Sequence, residues 1–220
     1  MTKDQRGDVR VVTVSASYGS GGSVVAPRLA QSLNLPFADR LIPANDAAAA
    51  GVGAERVTEE ERSQAARSRF LARLASVTGG LGLPTPTAED LADPVRQRVK
   101  DSIEQLISSG GAVILGRAGA VVLAGHPRAF HVRLDGPKDR RVLRAMDIEG
   151  TDEASARARL EDTDRARARY VERLYGRDPA DGRLYHIVLD STVFPADDCV
   201  RVLATAAAAF WEHAPTAVAP

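Results

Sequence analysis

The feature that most constrains the fold lies near the beginning of the chain, where an apolar run leads into three glycines and then into a helical pattern. Residues 9–15 form a β-branched run that is typical of a buried strand. Gly19, Gly21 and Gly22 follow within four residues, and residues 24–33 then carry apolar side chains at helical spacing. The sequence therefore predicts a strand, a glycine-rich loop and a helix in direct succession.

Short apolar strands and helices continue to alternate along the rest of the chain. An extended piece is predicted at 35–37, further strands at 112–115, 129–134 and 184–189, and further helices at 95–109 and 199–211. Strands that alternate with helices favour a parallel sheet covered on both faces. We therefore expect an α/β fold with a five-stranded parallel sheet flanked by helices.

Two regions do not belong to this simple alternation. Residues 43–108 are interpreted mostly as a helical insertion, and residues 138–174 as a long, densely charged helical region that is broken near Gly150. We expect a single domain over residues 1–214 and a loose Ala/Pro-rich tail over residues 215–220.

Charge and cysteine content exclude several classes of function. The 29 basic and 29 acidic residues give no net charge, which argues against a protein that binds a nucleic acid polymer. Cys199 is the only cysteine, so neither a disulfide framework nor a cysteine-based zinc site can form within the chain. No apolar run approaches the roughly 18 residues that span a bilayer. We expect a soluble, cytoplasmic protein without a membrane partner.

The glycine loop is a candidate phosphate-binding site. A strand that feeds a glycine loop and then a helix presents backbone N–H groups to an anion, and the helix N-terminus adds about half a positive charge. Glycines permit positive φ and let a phosphate approach the backbone closely. An ordinary strand-to-helix turn is the alternative, but such a turn rarely needs three glycines in four residues.

The loop matches neither of the two common phosphate-binding patterns completely. The Walker pattern G-x-x-x-x-G-K-[ST] requires Gly at position 16 and Lys at position 22, where this chain has Ala16 and Gly22, although Ser23 agrees. The dinucleotide pattern G-x-G-x-x-G finds Val24 at its third glycine, with Asp39 about 20 residues after the loop. A dinucleotide-binding oxidoreductase therefore stays open as a rival.

Five segments in order resemble the cytidylate kinase-like family of P-loop nucleoside monophosphate kinases. They are Tyr18-Gly19-Ser20-Gly21-Gly22, Pro36-Phe37-Ala38-Asp39-Arg40, Leu115-Gly116-Arg117, Asp164-Arg165-Ala166-Arg167 with Tyr170, and Asp190-Ser191-Thr192. Together they span most of the chain, and the insertion at 43–108 is the least matched region.

The resemblance implies a P-loop NTPase fold with an insertion on the monophosphate side and an arginine-bearing lid at 138–174. It implies ATP and Mg²⁺ as cofactors, nucleotide substrates, and transfer of the γ-phosphoryl group of ATP to CMP, dCMP or a related small acceptor. It is also compatible with a homodimer. The implied ATP-binding residues are Tyr18, Gly19, Ser20, Gly21, Gly22 and Ser23, and the Ser23 hydroxyl would ligate Mg²⁺.

The remaining roles that the resemblance implies fall mainly on arginines, which supply both position and positive charge. The expected catalytic residues are Arg117, Arg140, Arg144 and Arg167, with Arg141 a further lid arginine, and the expected substrate-binding residues are Asp39, Arg40, Arg117, Asp164 and Arg167. An alternative is that the lid arginines form a solvated face, since acidic residues nearly balance the basic ones there.

Two departures from the family pattern bear on catalysis. Gly22 replaces the P-loop lysine that reaches the terminal phosphates elsewhere, and Leu115 stands where several related kinases carry an aspartate that helps to hold magnesium. A catalytically silent nucleotide-binding protein, acting as a sensor or scaffold, is therefore the main alternative to an active kinase.

Overall fold

A computed structural model describes residues 9–39, 88–116 and 118–214, without the side chains of residues 88–94 and 98. Most of the predicted insertion, Arg40, Arg117 and the tail at 215–220 lie outside the described residues. Contacts divide the chain into one unit of Met1–Leu41 with Ser102–Pro220 and a second unit of Ile42–Asp101. The predicted single domain over 1–214 stays a prediction.

Five parallel strands form the sheet, as the sequence predicts. The strands are β1 Arg10–Ala16, β2 Phe37–Asp39, β3 Gly111–Leu115, β4 Ala129–Asp135 and β5 Ile187–Asp190, and their order is β2-β3-β1-β4-β5. The central strand β1 pairs on both sides, so that Val12 lies opposite Val113 in β3 and Phe130 in β4. Val11, Val12 and Val14 are completely buried, which explains why this strand is a nearly continuous apolar run.

Six helices are described between and after the strands. They are α1 Gly22–Leu33, α2 Ala88–Ser108, α3 Gly119–Val122, α4 Lys138–Glu149, α5 Glu153–Tyr175 and α6 Ala196–His213. Short 3₁₀ helices cover Gly182–Leu184 and Ser191–Val193. The predicted break at Gly150 is confirmed, because this glycine ends α4 in the left-handed conformation with φ 61°. None of the helices in the described ranges is long and apolar enough to cross a bilayer.

The structure corrects several predicted boundaries. Strand β2 covers Phe37–Asp39 rather than 35–37, and α6 begins at Ala196, three residues before the predicted start. Helix α1 begins two residues earlier than predicted, at Gly22, and Pro27 is its sixth residue. Helix α2 begins at Ala88, seven residues before the predicted start. Strand β5 begins three residues late, because Asp181 accepts the Arg183 N–H at 3.0 Å and caps a 3₁₀ turn where the apolar pattern predicted a strand.

The main apolar core lies between the sheet and the helices α1 and α6. Val12 and Val14 of β1 pack there with Leu29 of α1 and Leu203 of α6, and all four side chains are fully buried. Burying one such aliphatic side chain stabilises the fold by about 1.5–3 kcal/mol. Because successive residues of a strand face opposite sides, Thr13 faces the other side of the sheet, against α3.

The strand order fixes where a ligand can reach the sheet. After β1 the chain crosses to the β2 side, and after β4 it crosses to the β5 side, although β1 and β4 are neighbours. In open α/β sheets, ligands bind in the crevice at the carboxyl ends of the strands where the order reverses. The carboxyl ends of β1 and β4, at Ala16 and Asp135, lie at this position.

A buried imidazole on β4 makes stability depend on pH. His131 is buried beside Thr13, with its Nδ1 2.8 Å from the threonine hydroxyl, and its backbone N–H donates to Nδ1 of His186 at 2.9 Å. Burial, together with the neighbouring His186, lowers the pKa of His131 to about 4, and burial also lowers the pKa of His186 and His126. The folded protein therefore keeps His131 neutral at pH values where the unfolded chain protonates it.

We expect the free energy of unfolding to be highest above pH 6.5 and to fall as the pH drops from about 6.5 to about 4. His131 contributes about 2–3 kcal/mol to this loss by pH 4.5. Denaturant titrations at pH 7.5 and 4.5 should show a smaller loss for His131→Gln than for the wild type. His213 is exposed on α6, so His213→Gln serves as the control and should keep the full loss. An equal loss in all three proteins would contradict the assignment.

Candidate functional site

The glycine loop after β1 is built from two tight bends that need glycine. The Ser20 N–H donates to the Ser17 carbonyl at 3.1 Å, which closes a turn with Gly19 at φ 75°. A Cβ at Gly19 would lie only 2.1 Å from the Arg141 carbonyl oxygen. Gly21, at φ 79°, is the N-cap residue of α1. Backbone conformation and space together exclude a side chain at Gly19, while at Gly21 the left-handed backbone disfavours any other residue.

The loop and the first turn of α1 contain backbone donors without acceptors. Gly21, the N-cap residue of α1, has no side chain that could cap the helix, and its carbonyl already accepts the N–H groups of Val24 and Val25. Within the described part of the chain, no acceptor takes the N–H groups of Gly19, Gly21, Gly22 and Ser23. Open backbone donors at a helix N-terminus suit a phosphate. The role of the loop as an anion cradle stays a prediction.

Tyr18 fastens the loop to the helices of the predicted lid. Its N–H donates to Asp164 Oδ1 at 2.8 Å, and its carbonyl accepts from Arg141 at 2.9 Å. Its hydroxyl donates to Glu149 Oε2 at 2.8 Å, and burial together with this carboxylate raises the pKa of the phenol. The ring packs against Val142 and other apolar residues of α4 and α5. Tyr18 thus anchors the glycine loop to α4 and α5 through its ring, its hydroxyl and its backbone.

Arg141, which is predicted as a lid arginine, is buried and hydrogen-bonded within the protein. Its guanidinium is buried and donates to the Gly136 carbonyl at 2.9 Å, to the Tyr18 carbonyl at 2.9 Å and to Asp164 Oδ2 at 2.7 Å. Asp135 Oδ1 lies 3.6 Å away. These contacts join β4, the glycine loop and α5, so Arg141 positions the site.

Asp164, predicted to bind substrate, also lies beneath the loop. One of its oxygens accepts the Tyr18 N–H and the other accepts from Arg141. Both carboxylate oxygens therefore have protein donors, and the geometry gives Asp164 a positioning role. Its contact with substrate stays a prediction.

A second charge pair holds the carboxyl end of β4 against the loop. Arg133 donates to Asp135 Oδ2 at 2.7 Å and to the Ser17 hydroxyl at 3.0 Å. Burial raises the pKa of Asp135, but the hydrogen bonds from Arg133 and from the Gly136 N–H outweigh it, so the pKa lies below its usual value. Asp135 therefore stays ionised at neutral pH.

Two of the predicted catalytic arginines contact the loop region directly. The guanidinium of Arg144 lies against Gly21, with Nε and Nη2 3.0 Å from the position of a Cβ there, and its Nη1 donates to the Ser191 carbonyl. Nη1 of Arg167 donates to the Ala16 carbonyl at the end of β1. Both side chains are half-buried. The structure thus brings positive charge to the same edge as the amide donors.

The other predicted site residues lie farther out or outside the described residues. Arg140 is exposed and pairs with Asp190 at 2.8 Å at the end of β5. Asp39 is exposed at the end of β2, opposite Leu115 of β3. Arg40 and Arg117 lie outside the described residues. Their predicted roles stay predictions.

Ser23 is the second residue of α1, and its side chain is exposed. This position lets the hydroxyl serve a metal ion that is also held by phosphate oxygens. In the described ranges, no group of three or more His, Cys, Asp or Glu residues could hold a metal by itself. The role of Ser23 as a magnesium ligand stays a prediction.

Ser191 also supports the glycine loop, a role that its position in the sequence does not reveal. It is completely buried after β5, and its hydroxyl donates to the Ser20 carbonyl at 2.7 Å, with the Asp135 carbonyl at 3.3 Å. A serine directly after an apolar strand was the available signal, but its partner lies 171 residues away in sequence. Cys199 is a buried free thiol whose pKa is raised by burial, as expected for a structural cysteine.

A parallel sheet with a glycine loop between its central strand and α1 defines the chain as a P-loop α/β protein. The model of the cytidylate kinase-like family matches residues 11–193, and the chain belongs to this family. A cytidylate kinase from Methanopyrus kandleri is 26% identical over 207 residues, which cover 89% of this chain and 92% of the relative. The match makes this chain a member of a kinase family.

The fold is also similar to that of a solved structure. An uncharacterized protein from Eubacterium ventriosum superposes with a TM-score of 0.63 at 22% identity, over 91% of this chain and 98% of the other. The similarity covers nearly the full length of both chains, and it supports the α/β architecture described above.

We expect Ser191→Ala to lower the free energy of unfolding by about 1–3 kcal/mol, because the buried Ser20 carbonyl then loses its donor. Urea denaturation monitored by circular dichroism measures this change. Ser108→Ala is the matched control, since the exposed Ser108 hydroxyl only contacts a carbonyl of its own helix. A loss for Ser191→Ala no larger than for the control would show that the hydroxyl does not hold the loop.

Proposed function

We propose that this protein is an ATP-dependent kinase that transfers the γ-phosphoryl group of ATP to CMP, dCMP or a related small acceptor. One observation carries the proposal: four backbone N–H groups of the glycine loop and the start of α1 have no acceptors among the described residues, and the Arg144 and Arg167 guanidinium groups lie at the same segment. Membership of the cytidylate kinase-like family supports this choice of reaction, and the Methanopyrus kandleri relative supports the choice of acceptor.

The chemistry needs position and positive charge more than proton transfer. An oxygen of the acceptor phosphate forms a bond to the γ-phosphorus, and the bond between that phosphorus and the β–γ bridging oxygen breaks, which yields ADP and a diphosphate product. The acceptor phosphate is mostly a dianion near pH 7, so no general base has to remove a proton. Cations around the transferring group stabilise its charge.

Each half of the site has candidate residues for this reaction. The N–H groups of Gly19, Gly21, Gly22 and Ser23 hold the ATP phosphates, and Arg144 and Arg167 carry charge toward them. Asp39, Arg40 and Arg117 serve the acceptor, with Arg140 and Asp164 at the lid. The family resemblance, rather than a contact in the structure, supports this acceptor group.

Magnesium supplies further charge at the terminal phosphates when the nucleotide is bound. Ser23 is the residue that would hold it, since its hydroxyl lies one residue into α1 beside the amide cradle. Leu115 takes the place of an aspartate at the end of β3, so the protein offers fewer oxygen ligands than many related kinases.

A silent nucleotide-binding protein is the second candidate, favoured by Gly22 in place of lysine. Magnesium-dependent ADP release from ATP, measured with CMP, dCMP, UMP, AMP and shikimate-like alcohols, separates the two functions. Turnover with CMP or dCMP supports the kinase, while ATP binding in calorimetry without turnover across the panel supports the silent protein. A thermal shift with NADH and none with ATP would favour the oxidoreductase instead.

We expect Gly21→Val to weaken ATP binding by about tenfold to 100-fold, since the side chain displaces one or two charge-assisted hydrogen bonds of the cradle. Calorimetry with ATP measures the effect. Gly176→Val is the matched control, because Gly176 also has a left-handed backbone (φ 60°) but open space around it at the end of α5. If Gly21→Val keeps wild-type ATP affinity, the phosphates bind elsewhere.

A further inference from the structure

The absence of a lysine at position 22 has a steric cause in the structure. Gly22 begins α1, and its φ lies outside the left-handed region, so the backbone itself would accept a side chain. A Cβ at Gly22, however, would lie 2.4 Å from the Cβ of Ala16, the last residue of β1. The next atoms are Leu115 Cδ1 at 3.4 Å and Ala16 Cα at 4.0 Å, which are ordinary contacts. The methyl group of Ala16 alone excludes a side chain at position 22.

Positions 16 and 22 both depart from the Walker pattern. That pattern has glycine at the position of Ala16 and lysine at the position of Gly22, while Gly21 and Ser23 agree with it. The contact between the two residues explains this reciprocal exchange, because a β-carbon fits at only one of the two positions. The loop therefore keeps its backbone shape and loses its cation.

Arg144 brings a cation to the loop from another element. Its guanidinium lies against Gly21, the residue before the exchanged position. Among the described residues it has no carboxylate partner, whereas the neighbouring Arg141 pairs with Asp164 and Arg133 pairs with Asp135. A half-buried arginine whose charge is not neutralised locally can attract an anion strongly.

We propose that Ala16 excludes the P-loop lysine and that Arg144 supplies the charge of that lysine to the terminal phosphates of ATP. The proposal rests on the proposed function. Helix α4 holds the arginine in place, since Arg141, one turn earlier on the same helix, donates to the loop at the Tyr18 carbonyl. The planar guanidinium can contact two phosphate oxygens at once, whereas a lysine ammonium acts as a point charge.

The steric half of the proposal can be tested without a nucleotide. We expect Gly22→Ala to lower the melting temperature by about 3–10 °C, because the new methyl group meets that of Ala16. Ala16→Gly should cancel most of that loss when it is combined with Gly22→Ala. Effects of the two substitutions that simply add in a double-mutant cycle would overturn the steric explanation.

The electrostatic half is tested by transferring the cation back to the loop. We expect Arg144→Ala to weaken ATP binding by about tenfold to 100-fold in calorimetry. The double substitution Ala16→Gly with Gly22→Lys restores the Walker pattern, and it should recover most of the ATP affinity in the Arg144→Ala background. Arg157→Ala, which removes an exposed arginine of α5, is the control and should bind ATP like the wild type.

The outcomes distinguish this proposal from the proposed function. If the wild type binds and turns over ATP while Arg144→Ala keeps full affinity, the kinase stands and the role of Arg144 fails. If Arg144→Ala loses affinity but the restored lysine does not recover it, the arginine does not replace the lysine. A wild type that binds no ATP would reject the proposed function, whatever the melting temperatures of the position 16 and 22 variants show.

Discussion

The contacts of the Arg141 guanidinium hold together the three segments on which the candidate site depends. This buried group donates to the loop after β4, to the glycine loop and to Asp164 of α5. Removing one partner of a buried ion pair costs about 3–5 kcal/mol, because the other charge stays behind in a poorly solvated place. The loop therefore receives its shape from its glycines and its position from the helices that follow β4.

The arginines of α4 and α5 divide according to their partners. Arg141 is buried against Asp164, while Arg157 is exposed and pairs with Asp139 and Glu153, so each has its charge balanced within the protein. Arg144 and Arg167 also donate to backbone carbonyls, at the ends of β5 and β1. Arg144 has no carboxylate partner among the described residues, and a carbonyl holds its guanidinium in place without neutralising it. The solvated-face interpretation is thus right for Arg157 but not for the two arginines at the loop.

The sequence predicts the secondary structure around this site better than the side-chain contacts within it. The strand, glycine loop and helix are local features, and so is the break at Gly150, so periodicity and turn chemistry locate them. The roles of Arg141 and Arg144 depend on Tyr18, Gly21 and Asp164, which are distant in sequence, and the two arginines look alike on one helix face. The apolar pattern predicts a strand over 184–189, which is wrong for residues 184–186 because such a pattern does not reveal the turn capped by Asp181.

The contact between Ala16 and Gly22 bears on whether the missing lysine indicates a catalytically silent protein. Considered alone, Gly22 looks like the loss of a catalytic group and favours a silent protein. The structure links that glycine to the size of residue 16 and places Arg144 beside the same loop. A loop that had only lost its lysine would leave two features unexplained. These are the contact between Ala16 and Gly22, and the Arg144 guanidinium, which has no carboxylate partner among the described residues. The three positions are therefore best interpreted as one unit, in which the size of one residue and the charge of another depend on each other.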